Sequence, residues 1–147
     1  QMCYTVTVLL SGICTEDNQM EIGMKHTETE IVTESNTAAT VGSGLLPVYA
    51  TPAMIALMEK CASACVAPAL EAGKTSVGTM LNVKHVSASP IGIKITCTAT
   101  LTEIDGRRLV FHVEASDEAG LIGEGTHERF IVDSDRFLAK CQSKLAE

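Results

Sequence analysis

The stretch TPAMIALMEKCASACV, residues 51–66, decides how the rest of the chain is read. Thr51 is a good N-cap residue, and Pro52 stands at the favoured first helical position. Met54, Ile55, Leu57, Met58, Cys61, Ala62, Cys65 and Val66 follow at helical spacing. The segment is apolar over most of its girth, so it reads as a helix buried along its length. Pro68 and Gly73 close the region.

Downstream of this helix the period changes to two. Strands are expected at about 75–88, 92–104, 107–116 and 121–132. Asp105-Gly106 is a tight hairpin signal, and residues 117–120 make another turn. Residues 134–145 begin with an N-cap type residue and read as a short closing helix. Upstream, residues 21–33 read as an exposed or edge strand. Residues 34–46 are small and Gly/Ser-rich, a mobile connection and a candidate lid. A sheet must bury one face, and the 52–66 helix is the element able to cover it. A β-sandwich would leave that helix without a role, and a parallel α/β fold would need a helix between each pair of strands. The pattern is therefore α+β: a hotdog fold, with an antiparallel sheet of about five strands wrapped on one long central helix and a short C-terminal helix. Residues 20–147 form the single expected domain. Residues 1–19 read as an N-terminal extension, with Met20 a candidate native start.

The chain has 147 residues, 46% apolar and 20% charged, which suits one domain with a real core. Eleven Lys plus Arg stand against 18 Asp plus Glu, for a formal net charge of −7. That argues against a nucleic-acid partner, which needs a basic face. It leaves room for an anionic small ligand held by a few local cations. The six cysteines (Cys3, Cys14, Cys61, Cys65, Cys97 and Cys141) include no C-x-x-C pair, so no metal site is expected. Cys61 and Cys65 read as small apolar core residues, and a reduced, cytoplasmic protein is expected. The apolar-leaning stretch from Met2 to Cys14 is too short to span a bilayer and lacks a basic flank, so neither a membrane span nor a signal peptide is expected.

Three residues could carry chemistry. Glu59 lies inside the apolar helix, where a carboxylate is costly unless paired; alternatively it lies on the one wet stripe beside Lys60. Thr51 could simply cap the helix, or it could work where free backbone N–H groups favour a developing oxyanion. The two are eight residues apart, about 12 Å along a helix axis, so direct contact within one chain is not expected. His85 shares a strand face with Val83, Leu81 and Val77, and a lone His there is usually a satisfied structural residue. Paired with a carboxylate it would suit general-base work. His26 and His112 read as structural. His127, beside Arg129, is a weaker candidate than His85.

The segments VYATPAMIALMEKCA, TSVGTMLNVKHVSASP, DGRRLVFHVEASD and IGEGTHERFIV together resemble the fluoroacetyl-CoA thioesterase group of hotdog proteins. The likeness covers about residues 45–140. It implies a catalytic set of Thr51, Glu59 and His85, with Gly78 and Arg129 in substrate placement, at a site on a homodimer interface. No separate cofactor is implied, since coenzyme A is part of the substrate. Some of Lys84, Lys94, Arg107, Arg108, Arg129 and Arg136 would meet its phosphates. The fluoroacetate-specific member carries Phe side chains as an apolar lid before the Thr. Here that segment reads Val41-Gly42-Ser43-Gly44-Leu45-Leu46, which implies another acyl selectivity on a retained hydrolytic core. The expected function is hydrolysis of a small acyl-CoA thioester. The alternative is a non-catalytic module that binds or senses acyl-CoA. The Asp/His signature of hotdog dehydratases is not found.

Overall fold

The computed structural model describes residues 19–146. The expected N-terminal extension, with Cys3 and Cys14, lies outside the described residues except at its last position. The elements run β1 (Lys25–Ile31), α1 (Ala38–Val41), α2 (Thr51–Val66), β2 (Lys74–His85), β3 (Lys94–Asp105), β4 (Arg108–Asp117), β5 (Gly120–Asp133) and α3 (Ser134–Gln142). The five strands form one antiparallel sheet in the order β1-β3-β4-β5-β2. Both β1 and β2 are edge strands. The hairpin between β3 and β4 turns at Gly106, whose φ of +61° is a conformation glycine adopts without strain.

Helix α2 packs on the inner face of this sheet. Met54, Leu57, Met58, Cys61, Ala62, Cys65 and Val66 are buried from the helix side. Ile95, Cys97, Ala99 and Leu101 of β3 and Leu109, Phe111, Val113 and Ala115 of β4 meet them from the sheet. The helix is not buried all round, as its composition suggested. Thr51, Pro52, Ala56 and Lys60 stay exposed, because the sheet covers one side only. Cys61, Cys65 and Cys97 are free thiols in the core, while Cys141 is free and exposed. Among the described residues no helix is long and apolar enough to cross a membrane.

Two local expectations change. Ala50, not Thr51, is the N-cap of α2: its backbone is extended, and its carbonyl accepts the first helical hydrogen bond from Met54. Thr51 and Pro52 are therefore the first two helical residues, and the Thr51 hydroxyl is released from capping. The 34–46 connection is also built rather than loose. Thr37 caps α1 by accepting from Thr40 N–H, Gly42 ends it at φ +91°, and the Ala38 N–H donates to the Val48 carbonyl. An isolated bridge between Thr37 and Tyr49 ties this segment to the start of α2.

Phe111 is fully buried at the centre of the helix–sheet contact. Phe111→Ala is expected to lower unfolding free energy by about 3–5 kcal/mol, and Lys25→Ala, an exposed edge position, by under about 0.5 kcal/mol. Urea melts of both variants check this.

Candidate active site

The candidate side chains fall into two groups. The first is at the N-terminus of α2. Thr51 Oγ1 and His85 Nδ1, from the last residue of β2, lie 2.8 Å apart. The Tyr49 ring meets His85 edge-on, with centroids 6.5 Å apart, and the Tyr49 hydroxyl donates to the Glu30 carboxylate. These groups open on a hollow of about 260 Å³ lined by Ala38, Ser43, Val48, Tyr49, Thr51 and His85. Burial holds the His85 pKa below the ordinary imidazole value, with the nearby Ser87 backbone acting the other way. The other ring nitrogen, Nε2, is buried and has no partner among the described residues.

The second group lies further along β2. The Glu59 carboxylate stands 3.7 Å from Arg129 Nη1. Arg129 is buried, and its orientation is fixed by donating from Nε to Ser76 Oγ at 2.8 Å and from Nη2 to the Ser76 carbonyl at 2.9 Å. Its Nη1 lies 3.1 Å from His127 Nε2, and His127 Nδ1 lies 2.9 Å from the Met80 carbonyl. An arginine can only donate, so Nε2 is the acceptor and the proton sits on Nδ1, donating to Met80. Burial keeps the His127 pKa low; the Met80 carbonyl opposes this and the Arg129 charge adds to it. His127 is thus a neutral strut beneath the guanidinium. Gly78 makes room for the cluster: a Cβ there would lie 2.5 Å from Glu59 Oε2.

A β-bulge between Gly78 and Met80 sets which β2 residues face the helix. Gly78 lies opposite Arg129 and Leu81 opposite His127, so Ser76 and Gly78 share the inner face with Leu81, Val83 and His85. Val77, expected on that face, pairs with Phe130 on the other side. The resemblance implied Thr51, Glu59 and His85 as one catalytic set with Gly78 and Arg129 placing substrate; within one chain Thr51 lies beside His85, and Glu59 beside Gly78 and Arg129. The structure brings together each of these two sets but not the two with each other. Seven residues separate Gly78 from His85, about 20 Å of strand. His127, read as a weaker candidate than His85, lies between Arg129 and the Met80 carbonyl. Its signal was the alternation T-H-E-R, which puts His127 and Arg129 on one strand face.

One long helix packed on a five-stranded antiparallel sheet is the hotdog architecture. The family model of the fluoroacetyl-CoA-specific thioesterase FlK matches residues 32–135. A fluoroacetyl-CoA thioesterase from Streptantibioticus cattleyicolor is 43% identical over 97 residues, 66% of this chain and 70% of that protein. A solved structure of the fluoroacetyl-CoA thioesterase FlK superposes with a TM-score of 0.81 at 36% identity, covering 85% of this chain and 97% of that one. A thioesterase superfamily member from Thermus thermophilus gives a TM-score of 0.80 at 27% identity, over 86% and 93% of the two chains. The chain belongs to the FlK family and is a thioester hydrolase.

Gly78 is not at positive φ, so alanine is accepted by the backbone, but the added Cβ must push the Glu59 carboxylate off Arg129. Gly78→Ala is expected to stay folded, by circular dichroism and thermal melt, while thioester hydrolysis falls about tenfold or more. Wild-type turnover in a folded Gly78→Ala protein would show that the position of Glu59 is immaterial.

Proposed function

We propose that the protein hydrolyses a short acyl-CoA thioester at two equivalent sites, each completed across the interface of a homodimer. The observation that carries this reading is the 2.8 Å contact between Thr51 Oγ1 and His85 Nδ1. A hydroxyl within hydrogen-bond reach of a neutral imidazole is an activated nucleophile beside its base. With the Thr51 O–H donating to Nδ1, the imidazole proton sits on Nε2, the buried atom that lacks an acceptor among the described residues.

The missing acceptor has a candidate in Glu59 of the partner subunit. One side of β2 is paired with β5 and the other is a free edge twelve residues long. It contains no proline, and Val77, Leu81 and Val83 are at least partly exposed along it. Such an edge invites pairing with another strand. Antiparallel pairing of β2 with its own copy runs the Gly78 end of one strand toward the His85 end of the other. That joins the Glu59–Arg129 cluster of one subunit to the Thr51–His85 pair of its partner, and the separation inside one chain ceases to matter.

The chemistry then runs in two balanced steps. Thr51 Oγ1 attacks the thioester carbon as its proton passes to His85 Nδ1. The C–S bond breaks, and the imidazolium returns the proton to the departing CoA thiolate. Water, deprotonated by His85, attacks the resulting Thr51 ester; the carboxylic acid leaves, and Thr51 regains its proton. First-turn N–H groups of α2 face the developing oxyanion. The partner's Glu59 holds the imidazolium, and Arg129 and Gly78 fix the carboxylate. The hollow of about 260 Å³ suits a short acyl group. The 41–46 segment, which gives Ser43 to the lining, contains no aromatic side chain, which supports selectivity other than for fluoroacetyl.

Steady-state release of thiol from acetyl-, propionyl-, isobutyryl- and fluoroacetyl-CoA tests the reading. Thr51→Ala, His85→Ala and Glu59→Gln are each expected to lose on the order of 10²–10⁴ in kcat/KM while remaining folded. In the wild type, kcat/KM should fall on acidification as His85 takes up a proton and is lost as the base; burial lowers its pKa and the partner's Glu59 raises it, so Glu59→Gln should move the fall to lower pH. Undiminished turnover in Thr51→Ala and His85→Ala would reject these roles.

A further inference from the structure

We propose that a second cleft, between α3 and the adjoining ends of β2 and β5, binds the adenosine 3′-phosphate 5′-diphosphate end of coenzyme A. This rests on the acyl-CoA reading above and adds to it a place for the nucleotide. The cleft has a volume of about 470 Å³. Four cations line it: Lys74 from the start of β2, Arg107 from the β3–β4 turn, and Arg136 and Lys140 from α3. They are four of the eleven Lys and Arg in a chain of net charge −7, so their convergence runs against the overall balance.

These cations are also unspent. Among the described residues none of the four has a carboxylate within ion-pair distance, whereas Arg108 is held by Glu103 and Glu128, Lys60 approaches Glu28, and Arg129 approaches Glu59. The single acid in the lining, Asp133, is committed as the N-cap of α3, accepting the Arg136 backbone N–H at 3.2 Å. Arginine forks and lysine ammonium groups are the side chains that recognise phosphate oxygens. The remaining wall is apolar and includes Phe137 and Ile131. Phe137 is 44% exposed and is one of three phenylalanines in the chain. A half-exposed aromatic ring beside unpaired cations offers a stacking face for a purine whose phosphates the cations hold.

The cleft is also in line with the acyl site. Lys74, Ser76 and Gly78 share one face of β2, and Asp133, Ile131 and Arg129 lie directly opposite them on β5. The nucleotide cleft is thus the outward continuation of the row that carries Arg129 and Gly78. Four strand residues separate Lys74 from Gly78, about 13 Å, and in the proposed dimer the partner's Thr51–His85 pair comes to Gly78, so an extended pantetheine arm spans from this cleft to that pair.

Two measurements on the full chain test this. The first is calorimetric titration with adenosine 3′,5′-bisphosphate, with inorganic pyrophosphate as the comparison. Arg107→Ala/Lys140→Ala is expected to weaken nucleotide binding by about tenfold or more. Phe137→Ala is expected to weaken the nucleotide but not pyrophosphate. The second is the ratio of kcat/KM for acetyl-CoA to that for the acetyl thioester of N-acetylcysteamine, which lacks the nucleotide. That ratio should fall about tenfold or more in the double variant, through KM. Nucleotide binding unchanged in the double variant overturns the proposal. Equal loss for nucleotide and pyrophosphate, with Phe137→Ala silent, overturns the adenosine assignment. Intact, cation-dependent nucleotide binding in a protein that hydrolyses none of the thioesters supports the cleft and instead rejects the hydrolytic assignment of Thr51, His85 and Glu59.

Discussion

The rigid rise of α2 sets the terms for everything else. Thr51 at its first position and Glu59 two turns on are held about 12 Å apart along the axis, and the packing of Met54, Leu57, Met58 and Cys61 on the sheet fixes which way each turns. Thr51 reaches the end of β2 and meets His85. Glu59 leans over the one β2 position without a side chain and meets Arg129. A stiff helix therefore divides the candidate groups of one chain into two clusters, one at Thr51 and His85 and one at Glu59 and Arg129.

Strand β2 relates the two clusters. Its bulge changes the alternation so that Gly78 and His85, at positions of opposite parity, both face inward. Its outer edge stays free within the chain. The groups on the inner face are supported from below: Ser76 and His127 hold the Arg129 guanidinium, and the Met80 carbonyl fixes the His127 tautomer. Buried charge is tolerated here because each guanidinium nitrogen has a hydrogen-bond partner. The same edge that needs covering carries both clusters, so dimerisation would protect the strand and complete the chemistry together.

Much of the fold was legible because it rests on periodicity. The 3.6-residue spacing of residues 51–66 and the alternation after residue 74 led to one helix, four following strands and an antiparallel sheet around the helix. The candidate residues could be picked out as types in order, but not their grouping: Thr51 meets His85, while Glu59 meets Arg129 over Gly78, in two clusters rather than one. The details that escaped depend on single residues whose neighbours are distant in sequence. The N-cap moved to Ala50 because Thr51 finds His85 34 residues away. The bulge at Gly78 has no periodic signature, so Val77 was assigned to the wrong face. Arg107 and Arg136 were plausible phosphate ligands from sequence, but Lys74 and Lys140 join them only once a turn, a strand end and the last helix come together.

The central claim is that each site takes Thr51 and His85 from one subunit and Glu59 from the other. Mixing Thr51→Ala and Glu59→Gln proteins under conditions that exchange subunits tests it directly. Each mixed dimer would hold one site with both lesions and one with neither, so an equimolar mixture should regain about a quarter of wild-type turnover from two nearly inactive parents. A mixture that exchanges subunits fully, as verified by mass spectrometry of the mixed dimer, and yet stays as inactive as its parents would contradict the account.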